Sequence, residues 1–372
     1  MKVLFISSWY PNKLEPTNGN FVQRHAEAVA LQHQVEVLHT IGDPNQKEKF
    51  LFDEKVINGL KTLIVYYRNT KNPLINFRRR MKAYKLGFQN MQKPDIVHAN
   101  VMHNNMLFAV HLKKKYKIPY VVTEHWSAFQ KINLHKLSKA SKFVANRIAK
   151  HSSKVLPVTE NLISGLRLLG IKTPMQVVGN VVDVNLFNIS ETPKAKFIFL
   201  HISNLIPLKN PKKIINVAIQ LHQQKPNFEL WIGGDGDKNM LDTIVAQNNA
   251  ATFIKTFGIL SLKEVSEKMQ ASDCFILFSD YENQPCVILE SFATGLPVIA
   301  SEVGGIPEIM DKDRGILVKK DDETALLAAM KNVLENEVDF KNKQEIRQYS
   351  VENFSKQKIA EKFSEVYKSI LA

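Results

Sequence analysis

Short apolar runs of four to seven residues punctuate the chain, and longer stretches of helical period fill the gaps between them. The first series of runs predicts strands at VLFIS (3–7), VEVLH (35–39), TLIVYY (62–67), DIVHA (95–99), YVVTE (120–124), KVLPVT (154–159) and QVVGN (176–180). A second series predicts FIFLHIS (197–203), FELWIGG (228–234), TFIKTFG (252–258), CFILFS (274–279), PVIAS (297–301) and GILVK (315–319). Several of these runs are almost uninterrupted, which is how strands covered on both faces read. Helical periodicity falls at 20–32, 74–91, 103–116, 136–150, 210–223, 261–270 and 324–335. Strand–helix alternation over the whole length predicts α/β architecture, with parallel sheets wrapped by helices.

The polar, proline-containing NISETPKAK (188–196) is the best internal break. It predicts an N-terminal domain over 1–190 and a C-terminal domain over 191–353, with a last helix at 354–372 packing back on the first. Each domain reads as a doubly wound, Rossmann-like parallel sheet, the two facing across a cleft, with ligands at the carboxyl ends of the strands. A length of 372 residues suits two such domains, and 44% apolar with 23% charged residues suits a soluble globular protein. Two cysteines, Cys274 and Cys286, are too few for a disulfide framework or a zinc cluster. The opening MKVLFIS reads as a first strand, not a leader, and no run is long enough to span a bilayer. Charge changes the picture more. Residues 1–190 hold 28 Lys+Arg against 11 Asp+Glu, a net +17, whereas 191–372 hold 22 against 25, a net −3.

Candidate chemistry concentrates in SDYENQPCVILESFATGLPVIASEVGGIPE (279–308). Pro285 suits the first position of a helix, because its missing N–H would have lacked an intrahelical acceptor there. That helix runs to Gly295, so Glu282 lies in a loop and Glu290 inside the helix, and the two do not share a helical face. The backbone N–H groups around 285–287 and the helix dipole form an anion site suited to phosphate. Glu290 could hold two adjacent hydroxyls, as on a ribose, and Glu282 a sugar on the far side of the phosphates. On spacing alone, two solvated glutamates remain an equally open reading. Asp235 and Asp237 in GGDGDKN read as turn and helix cap, and the segment lacks the third glycine of a dinucleotide fingerprint.

This stretch resembles the retaining GT-B glycosyltransferases of family 4 (glycosyl transferases group 1). Their E-x7-E, EAxAxGxPVIAS and GGxPE signatures stand here as Glu282–Glu290, ESFATGLPVIAS and GGIPE. VVGNVVDVNLF (177–187), LWIGGDG and DCFILFSDYE look like further family segments, so the likeness extends over nearly the whole chain. The resemblance implies transfer of a hexose-type sugar from a UDP- or GDP-sugar, without cofactor or metal, to a glycan or lipid-linked acceptor in cell-surface polysaccharide or glycolipid biosynthesis. Retention would use the donor's own phosphate as base, with no protein nucleophile. Glu290 would hold the ribose, and Glu282 and His125 would act at the transferred sugar. Lys209, with backbone N–H groups near Pro285, Cys286 and Val287, would hold the diphosphate, which gains negative charge as it leaves. Gly19 would bring the first loop close to the phosphates. Asn283 and Gln284 stand where the family often has EGFGLV and are candidates for sugar choice. Asn204 replaces the arginine of the family's GRLxxxKG pattern, and a neutral amide does not substitute for a bidentate guanidinium. His98 also matches a family position and reads as structural.

The basic half implies a second partner. LINFRRRMKAYKLGF (74–88), KKKYK (113–117) and the lysine-rich 131–154 segment predict peripheral contact with an anionic membrane, hence a cytoplasmic protein at its inner face. A UDP-N-acetylglucosamine 2-epimerase-like enzyme is the alternative within the fold. A basic nucleic-acid-binding protein is the alternative of another class, and the absence of a recognition motif or aromatic platform argues against nucleic acid.

Overall fold

The computed structural model describes residues 1–190 and 195–372. They form two compact units, Met1–Val181 with Lys356–Ala372, and Val182–Ser355.

The first unit begins with β1 (Lys2–Ser7), α1 (Asn20–Val29), β2 (Gln34–Asp43), β3 (Phe50–Ile57), β4 (Leu60–Arg68) and α2 (Pro73–Phe88). It continues through β5 (Ile96–Asn100), α3 (Leu107–Tyr116), β6 (Tyr120–Glu124), α4 (Lys139–His151), β7 (Lys154–Pro157) and α5 (Glu160–Leu168). Among the described residues its sheet has seven strands in the order β3-β4-β2-β1-β5-β6-β7, with only the β3–β4 pair antiparallel. The chain first winds outward through β2 and β4, then returns to place β5 on the other side of β1. Loops leaving β1 and β5 therefore diverge, which creates a crevice at their carboxyl ends. Strands β5 and β6 are buried at every residue, as their apolar runs predict.

Strand β3 has no counterpart in the predicted series. Most of its residues are exposed or half-buried, so it carries no apolar run. Its turn is the recoverable signal: Asn58 and Gly59 have φ of 49° and 81°, the two-residue hairpin geometry that Asn-Gly favours. Conversely, QVVGN is not a regular strand. Gln176 and Val178 donate to the carbonyls of Val155 and Pro157 at 3.2 and 3.1 Å, and the segment then departs from the sheet.

The second unit carries β8 (Phe197–Ser203), α6 (Pro211–Gln224), β9 (Phe228–Gly234), α7 (Lys238–Gln247), β10 (Ile254–Phe257) and α8 (Leu262–Gln270). Then come β11 (Cys274–Leu277), α9 (Cys286–Ala293), β12 (Val298–Ser301), β13 (Gly315–Val318), α10 (Glu323–Leu334) and α11 (Lys343–Phe354). The order β10-β9-β8-β11-β12-β13 is wholly parallel and doubly wound, with its switch point between β8 and β11. Helix α11 packs on α9. Arg347 clamps that contact by donating to the carbonyls of Phe187 (2.6 Å), Val184 (2.8 Å) and Ala293.

The division between units falls at Val181/Val182, ahead of the polar 188–196 segment, of which 191–194 lie outside the described residues. The reason is packing: Val182 and Phe187 already bury with Phe275, Ile288 and Phe354 of the second unit. The last helix, α12 (Lys356–Leu371), belongs to the first unit. Its Ile359, Phe363, Val366 and Tyr367 recur at helical spacing and bury against Val22, Ala26 and Val29 of α1.

Candidate functional site

In the second unit the loops leaving β8 and β11 are tied together at the switch point. Leu205 and Asn210 take left-handed φ values of 48° and 49°, which folds 204–210 back tightly. Asn210 Nδ2 donates to the Phe278 carbonyl at 3.1 Å and to Asp280 Oδ1 at 2.9 Å, and Asp280 N donates to the Leu208 carbonyl at 2.9 Å. These bonds bring Lys209 to Glu282, and the ammonium forms an ion pair with Oε1. Both side chains are largely out of water, at 16% and 11% exposure. Two residues singled out separately in the sequence are thus direct partners.

Glycines shape this loop from behind. A Cβ on Gly234 would lie 1.9 Å from the Ser203 carbonyl oxygen, and one on Gly236 would lie 2.8 Å from that of Asn204. The turn after β9 therefore rests directly on the 203–205 backbone. Asp237 caps α7, accepting from Met240 N at 3.2 Å. Asn204 is exposed at the start of the loop. His201, unflagged by the sequence, is fully buried beneath it. Its Nδ1 donates to the Ile276 carbonyl at 2.9 Å, its Nε2 bonds Ser203 Oγ at 2.9 Å, and burial lowers its pKa to about 4.

Pro285 precedes α9 as its N-cap, with φ −69°, one position earlier than the first helical residue expected. Helix α9 then starts at Cys286, so its first-turn N–H groups and positive dipole end face the same loop that carries Glu282. Val287 and Cys286 are half-buried there, and Glu290 is buried one turn further on, about 6 Å along the axis from Cys286. Gln284 is buried, Asn283 half-buried, and the Asn283 carbonyl accepts from Gly305 N at 3.1 Å. That bond stitches the paired-glycine turn after β12 to the loop. Lys209, Glu282, Asn283, Gln284, Pro285, Cys286, Val287 and Glu290 thus occupy one edge of one sheet.

Gly19 and His125 lie in the first unit. Gly19 has φ 79° and caps α1; a Cβ there would meet the Trp9 carbonyl at 2.5 Å, so only glycine lets the loop after β1 close on the helix. His125 follows β6. Its ring centroid lies 4.2 Å from that of Phe21 and 5.3 Å from that of His25, and burial, then His25 and His98, hold its pKa well below the usual value. His98 bonds Tyr367 OH at 2.6 Å and Thr123 Oγ1 at 2.5 Å, neutral partners that fit a packing role.

Two residues of this edge escaped the sequence reading. Glu124 ends β6 fully buried; Oε1 accepts from the N–H of His125 and Trp126 at 2.8 and 2.7 Å, and Oε2 from that of Met102 at 2.7 Å. Burial raises its pKa to about 7, against the pull of those three bonds. It fixes the backbone that carries His125. A glutamate closing an otherwise apolar run was the available signal. Arg80, read only as part of a basic run, donates to Tyr67 OH at 3.0 Å, Asn104 Oδ1 at 3.2 Å and Asn105 Oδ1. Among the described residues it has no carboxylate partner, so its charge remains available for an anion.

The geometry at the switch point of the second unit suits an anionic, hydroxyl-bearing ligand. Comparison with known proteins identifies the family. The family described as glycosyl transferases group 1 matches residues 184–358, and glycosyltransferase family 4 matches residues 19–186. The amylovoran biosynthesis glycosyltransferase AmsK of Erwinia amylovora is 34% identical over 140 residues, spanning only 34% of either chain. A putative teichuronic acid biosynthesis glycosyltransferase, TuaC of Bacillus subtilis, is 22% identical over 89% of this chain and 88% of its own. Anabaena HepE, solved in complex with UDP-glucose, superposes with a TM-score of 0.76 at 17% identity, covering 99% of this chain and all of that one, which shows the shared fold. The chain belongs to the GT-B glycosyltransferases, those of glycosyl transferases group 1 and family 4.

Proposed function

We propose that the protein transfers a hexose-type sugar, with retention, from a UDP- or GDP-sugar to a glycan or lipid-linked acceptor in surface polysaccharide or glycolipid synthesis. The observation that carries this reading is the Lys209–Glu282 pair beside the amino end of α9, with Glu290 one turn along that helix. A nucleoside diphosphate entering here meets the ammonium and the α9 amides with its phosphates, and Glu290 with its ribose. When phosphate takes the ammonium, Glu282 is released to accept hydroxyls of the transferred sugar. Positive charge then sits where the leaving diphosphate gains negative charge, the role a metal ion plays in other transferases. The C1–O bond to phosphate breaks, the acceptor oxygen bonds C1, and the acceptor proton passes to a donor phosphate oxygen. HepE's complex with UDP-glucose and TuaC's teichuronic acid role support the donor and pathway classes by analogy. The net +17 of residues 1–190 supports work at an anionic surface, where a lipid-linked acceptor is met.

Calorimetry with UDP-, GDP- and ADP-sugars tests the assignment. One donor binds the wild type, and Glu290→Gln weakens it by about 10- to 100-fold, the loss of charged hydrogen bonds to hydroxyls. Unchanged affinity in that variant refutes the donor site.

A further inference from the structure

Away from both switch points, the first unit has a hollow of about 820 Å³, within the range of ~300–1,000 Å³ typical of small-molecule sites. Lys114 from α3, Arg147, Lys150 and His151 from α4, and Lys172 from the segment after α5 converge on it, and no carboxylate lines it among the described residues. Among the described residues none of Lys114, Arg147, Lys150 and Lys172 forms an ion pair. Basic residues at the end of α4 would by themselves answer the helix dipole. Lys114 likewise sits in the last turn of α3, but Lys172 belongs to neither helix, and two of α4's last carbonyls, those of Ile148 and Ala149, are already covered. Ala149 O accepts from Ser152 Oγ and Thr173 Oγ1, each at 2.8 Å. The cations also repel one another: after burial, Lys114, Arg147 and Lys150 lower the pKa of His151. Concentrating like charge without counter-charge destabilises the free protein, so an anion of complementary charge is what the hollow fits. Phe143, on the same wall, is 65% exposed, an apolar group beside the cations that suits an acyl boundary better than free solution.

We propose that this hollow holds the phosphate headgroup of an anionic membrane lipid and so docks the first unit on the bilayer. The proposal rests on the reading that the first unit works at an anionic surface and names the place where it does so. It is tested with the full chain and vesicles of phosphatidylglycerol mixed with phosphatidylcholine, against phosphatidylcholine alone, at low and physiological salt. The expected result is sedimentation with anionic vesicles only. Each cation near such a surface is worth about fivefold, so Arg147→Gln with Lys150→Gln weakens binding by about 30-fold. Lys47→Gln with Lys49→Gln, two exposed lysines elsewhere in the unit, removes the same charge and weakens it no more than a few-fold. Unchanged thermal unfolding of both doubles excludes misfolding. Equal losses in the two doubles, or no loss in the first, overturn the hollow as the site while leaving membrane contact standing. Failure of the wild type to bind anionic vesicles overturns both. Calorimetric binding of inorganic phosphate without vesicle binding identifies a free-anion site and likewise overturns the lipid proposal.

Discussion

Glu282→Gln is expected to tighten binding of the nucleoside diphosphate, and Lys209→Met to weaken it, although both remove half of one ion pair. In the free protein the Lys209 ammonium is already held by Glu282, with the side chains 16% and 11% exposed. Exposed pairs contribute about 0–1 kcal/mol, whereas truncating one partner of a fully buried pair costs about 3–5 kcal/mol. A largely shielded pair at the rim of a site falls between, at about 1–3 kcal/mol to separate. A diphosphate that takes the ammonium must first meet that cost. In Glu282→Gln the competitor is neutral, so the nucleotide binds about fivefold tighter or more, a factor of five corresponding to about 1 kcal/mol. In Lys209→Met a charge-assisted hydrogen bond worth about 1.5–3 kcal/mol is lost, and the remaining carboxylate opposes the phosphates, so affinity falls by at least about 10-fold. Sugar transfer is expected to move differently: under the proposed role, in which Glu282 meets the transferred sugar, it falls in both variants. The assay is calorimetry with UDP, GDP and ADP at fixed ionic strength, alongside initial rates with the cognate sugar nucleotide. Similar weakening in both variants, or no change in either, would refute the exchange of partners.

Two further outcomes concern the first unit. His25, His39, His98 and His125 are all held below their ordinary pKa by burial, His25 and His39 at about 4. Below pH 6.5 the unfolded chain takes protons that the folded unit refuses, so stability falls from about 6.5 toward about 4, by about 1.4 kcal/mol per pH unit for each histidine. Glu124 opposes this. Held up at about 7 from 4.5, it keeps its proton where an unfolded carboxylate has lost it, and offsets roughly one histidine across that window. The net is acid destabilisation, checked by thermal unfolding at successive pH values; a rising transition on acidification contradicts it. In Glu124→Gln, an amide N–H₂ replaces one oxygen and faces a backbone donor of Met102, His125 or Trp126. Leaving buried donors opposed costs about 1–3 kcal/mol. The readout is a lowered unfolding temperature together with altered histidine resonances near His125, and an unperturbed His125 spectrum would contradict the positioning role.

What the amino-acid pattern reveals depends on how many faces of an element are covered. Strands β5, β6 and β11 are buried throughout and therefore stand out as apolar runs. Strand β3 pairs on one edge and leaves most of its side chains wet, so its composition is that of a loop and only Asn58–Gly59 betrays it. Polar composition likewise marked a break at 188–196, whose described residues are exposed or half-buried, but the unit boundary follows the burial of Val182 and Phe187. A polar linker signal reports exposure, and exposure begins only after the chain has already joined its second core.

The candidate site divides along the same physical line. Whether Glu282 lies in a loop and Glu290 in a helix is local, fixed by Pro285 and the apolar period after it, and so it is readable from a dozen residues. That Lys209 meets Glu282, 73 positions away, depends on strand order. Only because β11 pairs with β8, and not with its sequence neighbour β10, do the loops at 204–210 and 278–285 leave adjacent carboxyl ends. The pair Glu124–Met102 arises in the same way, between the end of β6 and the loop after β5, and Arg80 of α2 reaches Asn104 of that same loop. A parallel doubly wound sheet converts residues remote in sequence into neighbours at its switch points. Chemistry made of single residues is therefore legible beforehand, whereas chemistry made of pairs becomes legible only once strand order is known. The Lys209–Glu282 pair belongs to the second kind: neither residue alone implies the proposed exchange, in which one releases the other when a phosphate binds.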